Sequence, residues 1–212
     1  MKINAVKIED LEVDKDYKDD NGTVFNIYHD YGAPSPRETL DPEETLIILR
    51  GDRNSPDPFP DELKQIADEC GTTLTRWCNL NAIIAALRER GYFVMPVYVL
   101  SHGGVRYSVH DFGDRWDSWM AGFAYCKPVE SEDYMRTAIE GDLDVYDAWA
   151  NGEVYGISVL GPDGEVVDGE NGFYHAGSFS MVDTIKEMMR AVGVKFQDEY
   201  EPVSSAGFSH QI

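Results

Sequence analysis

The densest group of side chains with chemical potential is His110–Asp111, followed by Asp114 and Asp117. Carboxylates beside an imidazole can hold a divalent metal or relay a proton, so this cluster is one candidate for a small metal-dependent enzyme. Its spacing fits neither a zinc nor a calcium ligand set. Gly113 and Arg115 lie between the acids and suit a turn, which makes a solvated aspartate-rich loop the stronger reading. His102, just before Gly103–Gly104, reads as a hydrogen-bonded turn histidine. Asp142, Asp144 and Asp147 resemble part of a calcium loop, but the glycine and the distal glutamate stand in the wrong places. Gly161–Pro162–Asp163–Gly164 is a hairpin turn, because a phosphate cradle needs a following lysine and helix. There is no Gly-x-Ser-x-Gly elbow, and Cys78 has no histidine at a recognisable spacing. The expectation is therefore no catalytic residue, no metal and no cofactor. Trp116, Trp119 and Trp149 are expected in the core, since no basic residues interleave them as base-stacking would require.

What the chain has in excess is negative charge. Its 212 residues carry 39 acidic and 18 basic side chains, a net of −21. Such a surface repels a phosphate backbone and favours cations or a basic protein partner. The excess is uneven: residues 130–170 hold 12 acids against one base, Arg136. Helical spacing can place Asp133, Glu140, Asp144 and Asp147 on one ridge, where like charges cost stability. A solvated face and a salt-adapted proteome are two plain explanations. The functional one is a carboxylate surface offered to a cationic protein groove, led by Glu130, Glu132, Asp133, Glu140, Asp142, Asp144, Asp147 and Glu153.

The elements that must carry these groups follow from periodicity and punctuation. Residues 23–28 (TVFNIY) read as a strand, hairpinned to the preceding segment across Asn21–Gly22. Residues 31–42 are proline-rich loop, 45–49 (TLIIL) a buried strand, and 60–70 a short helix stopped by Gly71. Leu80, Ile83, Ile84 and Leu87 mark a helix over 79–90, capped by Gly91. Strands follow at 92–101, with Pro96 pointing to an edge or bulge, then at 105–109 and 119–126. Ser131 caps a helix that runs to Trp149, with Asn151–Gly152 ending it. A hairpin at 153–167 and a Met-rich helix at 178–192 complete the pattern. Strands and helices do not alternate regularly, so the fold class expected is α+β: antiparallel sheets with about four helices in one compact domain. That domain spans 1–198, divided by charge into 1–69, 70–129 and 130–198, with 199–212 a loose tail. Three unpatterned cysteines suit a reducing cytosol, and the start lacks the apolar run of a signal peptide.

Over residues 95–174 the chain resembles a widespread set of uncharacterised proteins of phages, plasmids and other mobile elements. The resemblance rests on PVYVLSHGGVRYS, WDSWMAGFAYC and YDAWANGEVYGISVLGPDGEVVDGENGFY. Asp117–Ser118, Gly122–Phe123, Tyr146–Asp147, Gly152–Glu153–Val154–Tyr155–Gly156 and Gly172–Phe173–Tyr174 keep the shared pattern. Trp119 stands where those proteins have glycine, and Glu170–Asn171 where they have cysteine and tryptophan. The resemblance implies a mobile-element origin and no reaction. Small acidic proteins of that origin are often inhibitors of host defence, of the antirestriction or anti-CRISPR kind. The function expected is then a non-enzymatic nucleic-acid mimic in the host cytoplasm, its partner a basic nucleic-acid-binding protein such as a CRISPR effector or restriction enzyme. The alternatives are the metal-dependent enzyme built on His110, Asp111, Asp114 and Asp117, and a structural or accessory phage protein.

Overall fold

The computed structural model describes residues 5–40, 46–49, 61–74, 79–128 and 131–203, with the backbone alone for 46–49 and Glu62. The fold is α+β with two antiparallel sheets, as expected. Contacts gather the chain into two compact units, Met1–Ala33 with Gly152–Ile212, and Pro34–Asn151. These boundaries do not follow the charge-based divisions at 69 and 129.

The first unit is a six-stranded sheet in the order β1-β10-β2-β3-β8-β9, formed by β1 (Val6–Lys7), β2 (Asp16–Lys18), β3 (Val24–His29), β8 (Val154–Leu160), β9 (Val166–Tyr174) and β10 (Glu199–Val203). The hairpin across Asn21–Gly22 is present, β2 pairing with β3 from Asp16↔Asn26 to Lys18↔Val24. Helix α5 (Met181–Ala191) starts at Ser180, whose hydroxyl and the Asp183 carboxylate form a reciprocal capping box. Its Ile185, Met188 and Met189 are buried with Phe25, Ile27, Ile157 and Tyr200. The Met-rich helix is thus core, as its spacing indicates. Gly156 lies opposite Tyr28, and a Cβ there would overlap the tyrosine ring. The aromatic ring fills the space a side chain would take.

The second unit is a four-stranded sheet in the order β4-β7-β5-β6, formed by β4 (Leu46–Leu49), β5 (Phe93–Ser101), β6 (Val105–Ser108) and β7 (Ser118–Cys126). On one face lie α2 (Asp61–Glu69) and α3 (Leu80–Glu89), whose Leu63, Ile66, Ile83, Ile84 and Leu87 pack with Val94, Phe123 and Tyr125. On the other lies α4 (Glu132–Ala150), whose Ile139, Leu143 and Tyr146 pack with Met95, Val97, Val99 and Ala124. A bulge sits beside Pro96: Val97 pairs with Gly122 but Tyr98 with Met120, leaving Ala121 as the extra residue.

Three expectations need correction. Residues 199–203 are not tail: β10 pairs with β1 and with β2. The loop at 31–42 contains a helical turn, α1 (Pro36–Thr39), opened by Ser35, which accepts from the Arg37 amide. The hairpin after α4 is longer than expected, because β9 continues to Tyr174 with bulges. Cys78 and the last residues of the tail lie outside the described residues. Among the described residues no helix is long and apolar enough to cross a membrane.

Candidate functional site

Helix α4 separates its two faces cleanly. Ser131 accepts a hydrogen bond from the Tyr134 amide at 3.3 Å, and Glu132 and Asp133 occupy the first turn, where the helix dipole favours anions. Met135, Ile139, Leu143 and Tyr146 recur at intervals of three and four and are buried. Glu132, Asp133, Glu140 and Asp144 are exposed. With a rise of about 1.5 Å per residue, they span roughly 18 Å of helix. Among the described residues no ion pair uses any of these four carboxylates. Burial pushes the Asp144 carboxyl above its usual range, Arg106 pulls it back, and Glu140 pushes it up again. A charge held there is penalised first by desolvation, and Arg106 on β6 offsets part of that penalty.

The other expected carboxylates are placed differently. Asp147 is on α4, but its Oδ1 accepts the Tyr107 amide at 2.6 Å. One turn later Asn151 Oδ1 accepts the Val105 amide at 2.8 Å, and its Nδ2 donates to the Val105 carbonyl at 2.7 Å. Val105 and Tyr107 belong to β6, the edge strand of this sheet. Asp147 and Asn151 therefore stand in for a missing strand and close an edge that would otherwise invite pairing. Asp142 is half-buried, Glu153 is exposed in the other unit just before β8, and Glu130 lies outside the described residues. Of the eight, Asp133, Glu140 and Asp144 come together as one exposed stripe of α4, while Glu132 points about a quarter turn away, into the same opening as Arg136.

The His/Asp cluster resolves into turn-building bonds. Asp111 Oδ1 accepts the Gly113 amide at 2.8 Å, and Asp114 Oδ1 accepts the amides of Trp116 and Asp117, each at 2.8 Å. The His110 amide donates to Ser108 Oγ at 3.0 Å. Among the described residues no three His, Cys, Asp or Glu side chains are placed to hold a metal ion. One pair goes further: His102 Nδ1 lies 2.6 Å from Asp117 Oδ2. That geometry orients an imidazole, but the His102 side chain is 78% exposed, so solvent screens the pair. Its role here is to clip the β5–β6 turn to the start of β7. Trp116, expected in the core, is 92% exposed. Its amide is committed to the Asp114 turn, ahead of β7, so no sheet face receives the ring. Trp119 is also exposed and Trp149 half-buried.

The Asp114 turn makes a pH prediction. The Asp117 amide, then the Trp116 amide, hold its carboxyl below the usual range, with the His102 charge a smaller aid. A depressed folded value means the contribution is present above the unfolded carboxylate value and lost as pH falls through the folded one. The amide resonances of Trp116 and Asp117 will hold steady while ordinary aspartates protonate and will move only at lower pH. Movement in step with the ordinary aspartates would contradict the turn.

No protein-family model, no curated protein and no solved structure matches the chain.

Proposed function

We propose that this protein is a non-enzymatic inhibitor encoded by a phage or other mobile element, and that it docks the acidic face of α4 on the nucleic-acid groove of a basic host defence protein. The observation that carries this reading is that Asp133, Glu140 and Asp144 are exposed on one stripe of a rigid helix and none is ion-paired among the described residues, in a chain of net charge −21. The helix is anchored by a buried apolar face, so its carboxylates are presented in a fixed array rather than on a loose loop. A groove lined by Lys and Arg to hold phosphates would gain those charges without rearrangement.

The charge complement makes association fast at low salt and steeply salt-dependent. The test is direct binding of the purified protein to a panel of CRISPR effectors and restriction endonucleases. Binding to at least one at low ionic strength, lost on raising the salt and competed by duplex DNA, is expected. No binding to any member at low salt removes the reading. The metal-enzyme alternative finds no support in a loop whose Asp111 and Asp114 are spent on backbone amides.

A further inference from the structure

A second site lies in the same unit and uses the opposite charge. Strand β5 outruns its neighbour: β6 pairs only with Tyr98 to Ser101, so the first half of β5 has β7 on one side and no described strand on the other. Antiparallel alternation turns the polar groups of Val94 and Pro96 to that open side, as it does those of Tyr98 and Leu100. Pro96 brings no N–H, and the Val94 carbonyl takes a hydrogen bond from Arg88 Nη2 at 2.8 Å. The edge is thus blunted without being filled. A cleft of about 450 Å³ remains there, lined among the described residues by Arg88, Tyr92, Phe93, Pro96, Glu132 and Arg136. That volume is within the ordinary range for a small-molecule site.

The two arginines identify what the cleft would take. Arg136 is the single base of residues 130–170 and is half-buried. Glu132 precedes it by one turn, a spacing suited to an ion pair, yet no ion pair among the described residues uses Arg136. Partial burial of an unpaired charge costs stability, and an oxyanion in the cleft would remove that cost. Arg88, fixed by its bond to Val94, keeps further N–H groups for the same anion. Tyr92, Phe93 and Pro96 add apolar surface to the lining, and Glu132 disfavours ligands of high negative charge most. We infer that this cleft binds a small oxyanion, a carboxylate or phosphate monoester, carrying an apolar group. The inference uses the arginines and does not rest on the acidic face.

The test is an NMR titration of the full chain with benzoate and with phenyl phosphate, at constant ionic strength, with benzyl alcohol as the neutral control. Saturable shifts at Tyr92, Phe93 and Arg136 with at least one anion are expected, and which anion saturates names the source of the charge. Arg136→Gln, shown folded by its unchanged melting profile, should weaken binding about tenfold or more, and Arg136→Lys less than that. Neither substitution should weaken docking of the α4 face on a basic target. Absence of saturable shifts with both anions overturns the inference. So does an equal response to benzyl alcohol, or unchanged affinity in Arg136→Gln.

Discussion

Replacing Asp133, Glu140 and Asp144 together by lysine leaves the protein folded and weakens target binding by about a hundredfold or more. The side chains are exposed, so the substitutions remove no packing. Each exposed charge pair is worth roughly 0.5–1 kcal/mol, and reversal turns each attraction into a repulsion of similar size. Three such reversals come to about 3–6 kcal/mol, which is two to four powers of ten in Kd. Asp144→Asn alone should separate stability from function. Its carboxyl is pushed up, first by burial. A raised folded value penalises the ionised form: the penalty is present above the folded value and vanishes below the unfolded one. Asparagine removes it at neutral pH, so the melting temperature should rise slightly while binding weakens. A variant less stable than the parent would contradict this account of Asp144.

Ile139→Ala gives the converse result. Ile139 is fully buried on the inner face of the same helix, among Val97, Val99, Leu143 and Tyr146. Truncation should cost about 3 kcal/mol from lost burial and the cavity left behind, a fall of roughly 6–12 °C in melting temperature for a chain of this size. No carboxylate changes, so below its transition the variant should bind with near-parental affinity. Chemical denaturation read beside binding distinguishes the two outcomes. A large affinity loss in folded Ile139→Ala would mean that the buried face, and not the acids, governs recognition.

Local signals in the sequence were enough to find most elements. Ser131 and the spacing of Met135, Ile139, Leu143 and Tyr146 define α4, and Asn79 with Leu80, Ile83, Ile84 and Leu87 defines α3. What they could not supply was long-range pairing. Residues 199–203 (EYEPV) hold a proline and two acids, and become a strand only because β1 and β2 flank them. Asp147 shares α4 with Glu140 and Asp144, and only the edge of β6 draws its carboxylate away from the surface. His102 and Asp117 meet because β5 and β7 pair up to Leu100↔Ser118. Trp116 shows the limit of composition: an aromatic residue in a turn fixed by Asp114 has no core to enter. The cleft was invisible for the same reason, its two arginines lying on different helices.

The most direct test of the α4 surface is carboxylate footprinting by carbodiimide labelling, with the protein free and bound to its target. Asp133, Glu140 and Asp144 should be protected in the complex, while the exposed Asp168 and Glu170 of β9 label as before. Unchanged labelling on α4 with protection on β9 would place the interface elsewhere and contradict the account.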